Sequence, residues 1–221
     1  MAETAKDARS AILDAAESLF SSRGFSATTI KMIAAESKQN SALIYYYFDN
    51  KATLYRHVLE RVIDEIKTEA SRRIGASTDP EQVVAAIVAS QVAVLASRPR
   101  LPVLLARELI DWKAAHAEPA IRSLSATLFE RLRVAIEQGQ STGTFRAGIN
   151  PTFGAISVIA QVGYMVLASP VAGILLGRGP DGPTADDVRE FGHHAAAFAL
   201  AALRAGRGAG AIPPKPSRSD G

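Results

Sequence analysis

The chain contains no cysteine in its 221 residues. That excludes a disulfide framework, a thiolate zinc site and a cysteine nucleophile, and it is compatible with a reducing cytoplasm. Net charge is also missing from most of the chain. The overall +3 is carried by Arg204, Arg207, Lys215 and Arg218 against Asp220, so residues 1–203 are neutral as a whole. A broad basic surface for nucleic acid is thereby excluded, and any DNA binding must come from a local motif. The first ten residues, MAETAKDARS, lack the apolar stretch of a signal peptide and carry acids that a transit peptide avoids. There is no Walker loop, no dinucleotide fingerprint and no nucleophile elbow. Of four histidines, His193 and His194 are adjacent. On a helix such neighbours point about 100° apart and do not chelate a metal as i, i+4 histidines can. These absences argue against an enzyme and against a metal or organic cofactor.

Charge is missing locally as well. No charged residue lies between Arg146 and Arg178, and residues 153–177 are long enough to span a bilayer. Ser157, Gln161, Ser169-Pro170 and several glycines oppose insertion, and a helix buried among others can be apolar all round. A single buried helix with no membrane partner is the reading, and a membrane-associated helix is the alternative.

What is present is helical periodicity in a composition that is 48% apolar and 21% charged, which excludes wholesale disorder. Ile12, Ala16, Leu19 and Phe20 form one apolar face, and that helix stops at Gly24. Thr28 or Thr29 caps a short second helix carrying Ile30, Ile33 and Ala34. Ser37-Lys38-Gln39-Asn40 forms a polar turn, Ser41 opens a third helix through Phe48, and a long helix starts near Lys51. Asp79-Pro80-Glu81-Gln82 starts the next, and Pro99 and Pro102 separate it from one bearing Trp112. Pro119 opens an amphipathic helix through Ile121, Leu124, Leu128, Leu132 and Ile136. Asn150-Pro151 caps the uncharged helix, and Thr184-Ala185-Asp186-Asp187 caps the last. No alternating run reads as a strand. The expectation is an all-α chain of about nine helices, with residues 1–50 a DNA-binding unit, 51–206 a second helical domain and 207–221 a disordered basic tail.

Residues 28–48 have the size of a helix-turn-helix, whose second helix is thin enough to enter the major groove. Ile33, Ala34, Leu43, Ile44 and Phe48 supply apolar positions between its helices. Lys38, Gln39, Asn40, Ser41 and the run Tyr45-Tyr46-Tyr47 supply groups suited to phosphate oxygens and base edges.

The ordered string Gly24-Phe25-Ser26-Ala27-Thr28-Thr29-Ile30, Ile33-Ala34, and Ala42 through Leu54 closely resembles the N-terminal domain of the TetR family of transcriptional repressors. Ala11 through Ala16 with Leu19-Phe20 also resembles that family's first helix. The resemblance implies that Thr29 and Lys31 contact phosphate or base, and that Gln39, Asn40, Ser41, Ala42 and Leu43 form the turn and recognition helix with Tyr45, Tyr46 and Tyr47. It further implies that Lys51 contacts phosphate. Ala42 and Leu43 depart from polar choices in some relatives, so contacts there would be apolar, as to a thymine methyl. Lys6, Arg9, Arg23, Lys31, Lys38, Lys51 and Arg56 are balanced by seven acids within residues 1–60. Binding must therefore rest on a few placed cations, helix N-termini and tyrosine hydroxyls.

Beyond residue 54 the resemblance is one of layout. It implies a homodimer on a pseudo-palindromic double-stranded operator and a C-terminal pocket for a small-molecule effector. Trp112, His116, Phe129, Phe153, Gln161, Tyr164 and Met165 are the candidate pocket residues, and with no distinctive charge cluster the effector is expected to be mostly apolar or aromatic. Small residues mark two helices: Ala155, Ala160, Gly163 and Ala168 on one, and Gly192, Ala195, Ala196, Ala199 and Ala202 on the other. They suit a four-helix dimer interface or close packing within one subunit. A DNA-binding regulator without a ligand and a helical small-molecule carrier are the competing readings.

Overall fold

The apolar face read from Ile12, Ala16, Leu19 and Phe20 is buried along α1 (Ala2–Ala27). Helical geometry breaks at Gly24 (φ 81°, ψ 168°) and resumes for one short turn. Glycine fits there twice over: the φ is in the left-handed region, and a Cβ would meet the Arg107 guanidinium at 2.5 Å. This computed structural model describes residues 2–98 and 100–205, so the basic tail expected at 207–221 lies outside the described residues.

The remaining helices are α2 (Ile30–Ser37), α3 (Ser41–Phe48), α4 (Lys51–Ile74), α5 (Pro80–Ser97), α6 (Leu101–Trp112), α7 (Glu118–Leu124), α8 (Glu130–Ser141), α9 (Pro151–Leu167), α10 (Ser169–Leu175) and α11 (Ala185–Leu203). A π-helical turn, Ser125–Phe129, joins α7 to α8 in one rod. Its extra residue re-phases the apolar face: Leu128, Leu132, Ala135 and Ile136 are buried, whereas Ile121 is 45% exposed. Among the described residues there is no strand, only an isolated bridge between Phe145 and Arg204 that ties the α8–α9 turn to the end of α11.

Counting α7–α8 as one rod, the described residues form ten helices against about nine expected. The extra one comes from the uncharged stretch, which is not a single helix. Ala168 leaves helical geometry (φ −101°, ψ 29°), and α9 and α10 meet at 76°. Pro170 follows directly, with no N–H to continue the ladder. By itself only α5, among the described residues, is long and apolar enough to cross a bilayer. Its apolarity answers to its place at the centre of the bundle, packed on α4, α8, α9 and α11, with Val83, Val84, Ile87, Val88, Val92 and Val94 buried.

The N-terminal three helices lean on this bundle through α1, which packs on α4 and α6. An ionic clasp reinforces the contact. Arg61 reaches Asp14 at 2.6 Å and Glu17 at 2.7 Å, and Arg98 pairs with both Glu17 and Glu65.

Candidate nucleic-acid interface and internal cavity

The turn between α2 and α3 is built from its caps outward. Thr29 caps α2, its hydroxyl oxygen accepting the Met32 N–H at 3.2 Å. Thr28, the other expected cap, is instead buried and donates to the Gly24 carbonyl at 2.8 Å, which secures the kink of α1. Lys38 ends α2 in the left-handed region (φ 56°), where its N–H reaches the Ala34 and Ala35 carbonyls. Ser41 opens α3 as read from the sequence, and Asn40 is its N-cap. The Asn40 Oδ1 accepts the Leu43 N–H at 2.7 Å. Asn50 does the same for α4 through Thr53, 2.9 Å away.

These caps fix which way α3 faces. Ile44 and Phe48, one turn apart, are buried. Arg9 covers the Phe48 ring, 5.2 Å from its centroid. Ala42, Tyr45 and Tyr46 form the outward stripe, with Tyr46 79% exposed. Tyr47 belongs to neither set cleanly, since it is half-buried, packs against the core and stacks edge-on to Tyr46 at 5.3 Å. Thr29 and Lys31 are exposed, Gln39, Ser41 and Leu43 half-buried, and the Asn40 side chain is spent on its cap. Lys38, read from the sequence as a group suited to phosphate, is exposed at the turn.

Lys51, the expected phosphate contact, has partners within the chain. Its ammonium donates to the carbonyls of Phe25 and Thr28, both at 2.9 Å, and stands 4.3 Å from the Phe25 ring centroid. Lys51 thus clamps the α1–α2 connection. The charge neutrality of the first sixty residues also has a spatial answer. Asp14 and Glu17 are turned toward the bundle and paired with its arginines, leaving Lys31 and Lys38 exposed beside the turn.

Behind α1 lies an aromatic joint. Phe25 packs on Trp112 at 5.7 Å and on His116 at 5.7 Å, and Tyr55 meets His116 edge-on at 5.2 Å. Beneath them Glu108 is 1% exposed, and its Oε1 accepts the main-chain N–H of His116 at 2.8 Å and of Ala117 at 3.1 Å. Burial first, and then the charge and hydrogen bond of Glu108, push the Tyr55 phenol well above its ordinary range.

Glu108 also lines a partly open cavity of about 240 Å³ between α4, α5, α6, α9 and the turn into α7. Its walls are almost wholly apolar, including Leu59, Ile66, Leu105 and Ile159, with Gln91 and Glu108 the polar side chains. None of the seven pocket candidates is on this wall. Trp112 and His116 are in the joint beside it, and Phe129 is packed on the core. Phe153 is 68% exposed, and Gln161 donates to the Ser157 carbonyl at 3.4 Å. Tyr164 and Met165 face a separate groove against α10 and α11. The wall is written instead in helical spacing, Leu59-Val62-Ile63-Ile66 on α4 and Ile159-Gly163-Leu167 on α9. That pattern is shared by any buried face, so sequence alone does not separate it from core.

The small-residue stripes divide the same way. Ala155, Gly192, Ala195 and Ala199 are buried inside the chain, and a Cβ on Gly192 would meet Val92 at 2.5 Å. Gly163 borders the cavity. The outward faces are carried by larger groups: Phe153, Ile156, Tyr164 and Leu167 on α9 and Phe198 on α11 are exposed.

Comparison with known proteins places both halves. The profile of "Bacterial regulatory proteins, tetR family" matches residues 12–58, and that of "Tetracyclin repressor-like, C-terminal domain" matches residues 80–192. The HTH-type transcriptional repressor NicS of Pseudomonas putida is 35% identical over 166 residues, covering 74% of this chain and 77% of that protein. Among solved structures, the fatty acid degradation regulator FadR from Bacillus halodurans superposes with a TM-score of 0.70 at 17% identity, over 88% of this chain and 99% of that one. FadR from Bacillus subtilis, solved in complex with stearoyl-CoA, gives a TM-score of 0.70 at 14% identity, over 88% and 98%.

Proposed function

The chain belongs to the TetR family of bacterial regulatory proteins, and we propose that it is a cytoplasmic, homodimeric transcriptional repressor released from its operator by a small, mostly apolar effector. The observation that carries the DNA-binding part is the outward stripe Ala42-Tyr45-Tyr46 on a short helix capped at both ends and backed by buried Ile44 and Phe48. A helix held that rigidly, with its polar and aromatic face free, suits insertion into a major groove.

Residues 1–50 act as the DNA-binding unit. Thr29, Lys31 and Lys38 meet phosphates, Gln39, Ser41, Ala42, Tyr45 and Tyr46 reach the groove, and Asn40, Leu43, Tyr47 and Lys51 hold the unit in shape. Residues 51–206 form the effector and dimer domain. The exposed apolar faces of α9 and α11 support pairing with a second copy in a four-helix interface. That pairing would set two α3 helices on successive turns of a pseudo-palindrome.

Release requires that effector and DNA favour different arrangements of the same dimer. The cavity and the aromatic joint share Glu108, and the joint carries Phe25 of the DNA-binding unit. A ligand that displaces α6 therefore displaces the seat of α1. That NicS is named a repressor supports the sign of regulation, and that FadR of Bacillus subtilis was solved with a bound ligand supports an effector.

The test is Tyr46→Ala in an anisotropy titration with operator DNA. Affinity should fall by about tenfold or more while the dimer persists. Loss of the dimer instead would assign Tyr46 to the fold and contradict the reading.

A further inference from the structure

The wall of the cavity is specific about the head group it can accept. Gln91 is 8% exposed and borders the cavity, and its Oε1 is buried without a hydrogen-bond partner among the described residues. Buried acceptors are almost always paired, so an orphan on a residue that borders a cavity marks where a donor is wanted. The other polar group on the wall, the Glu108 carboxylate, is already committed. Its Oε1 takes two main-chain N–H groups, and its Oε2 faces His116 Nδ1 at 3.3 Å. Among the described residues no lysine, arginine or histidine lines the cavity. An anionic ligand would find no cation there and would meet a like charge across an apolar, low-dielectric space.

Size narrows the choice further. About 240 Å³ is below the roughly 300–1,000 Å³ of drug-sized pockets, so a compact one- or two-ring molecule is enough to fill it. Gly163 on the wall has open space where its Cβ would be.

We propose that the cavity binds a compact, uncharged apolar molecule carrying one hydroxyl or N–H group, which donates to Gln91 Oε1, and that it rejects carboxylates of the same shape. This rests on the reading of the cavity as the effector site. It assigns Gln91 as the specificity-determining residue and Glu108 as the group that excludes anions.

The experiment is calorimetric titration of the full chain with three probes of one shape: naphthalene, 1-naphthol and 1-naphthoate. The expected result is that 1-naphthol binds about tenfold or more tighter than naphthalene and than 1-naphthoate. In Gln91→Leu the hydroxyl's advantage disappears while naphthalene affinity is kept, and Gly163→Leu, which fills the cavity, weakens binding of all three. Equal binding of naphthalene and 1-naphthol, an advantage that survives in Gln91→Leu, or tightest binding of 1-naphthoate overturns the head-group assignment while leaving the cavity as the ligand site. No binding of any probe to the folded protein overturns the cavity as effector site, and this inference with it.

Discussion

The Phe25 ring lies 5.7 Å from the His116 imidazole, tilted 31° to it, so the end of α1 rests on the segment that follows α6. Tyr55 and Trp112 complete the joint, and the buried Glu108 carboxylate holds the His116 main chain from the cavity side. Glu108 thus borders the cavity on one side and holds the segment on which the end of α1 rests on the other.

Phe25→Ala should therefore separate binding from release. Phe25 is half-buried, so the fold should lose roughly 2–3 kcal/mol, at or below the bottom of the range of about 3–5 kcal/mol for truncating a buried Phe. Operator affinity without effector should stay within about threefold of wild type, while the 1-naphthol concentration that halves operator binding should rise at least about tenfold. An unchanged 1-naphthol response would show that the joint carries no coupling.

Lys51→Met tests whether this lysine is a clamp or a phosphate contact. The Phe25 and Thr28 carbonyls lose their shared donor, so denaturant unfolding should show a loss of about 1–3 kcal/mol. The slope of log K for operator against log salt should be nearly unchanged. A slope reduced by about one for each protomer, with stability intact, would make Lys51 a phosphate ligand instead.

Tyr55 gives the alkaline limit of stability. Its phenol is pushed up by burial and by Glu108, so its folded value lies above the unfolded one near 10. The stability from keeping it protonated is fully present below about pH 10 and is lost as the pH rises toward the folded value. Tyr55→Phe should cost about 1–3 kcal/mol at pH 7, because Glu108 loses a donor. It should also abolish much of the stability loss between pH 10 and 11. A wild type and variant with parallel curves across that window would contradict the assignment.

The three N-terminal helices were legible in the sequence because their signals are local. The stop at Gly24, the polar turn ahead of Ser41 and the Ile44/Phe48 pair are each decided by residues within one turn. Where two local solutions compete, the sequence is less decisive, as with Thr28 against Thr29. The cavity was not legible. Whether Ile159 faces core or empty space depends on helices remote in sequence, and Trp112 and His116 look like pocket residues until Phe25 is seen to cover them. Lys51 reads as a surface cation for the same reason. Its partners, the carbonyls of residues 25 and 28, have no side-chain signature. The break at Ala168 was signalled by Ser169-Pro170, but proline kinks and proline breaks are written alike.

The salt dependence follows from the same placement of charge. Lys31 and Lys38 are exposed beside the turn, with Glu36 exposed between them in sequence, while Asp14 and Glu17 are paired with Arg61 and Arg98. A dimer should show a log K slope against log salt clearly below about ten in magnitude. A steeper slope, measured by anisotropy, would mean that far more of the surface touches phosphate.

The most direct test of the central claim is selection of bound duplexes from a randomised DNA pool, followed by anisotropy on the enriched sequence and on an unrelated duplex at the same salt. An inverted repeat should emerge with half-sites about one helical turn or a small multiple apart. It should be bound by at least one dimer, about a hundredfold or more tighter than the unrelated duplex, and lost in Tyr46→Ala. A pool that yields no common sequence, or equal affinity for both duplexes, would contradict a sequence-specific regulator acting through α3.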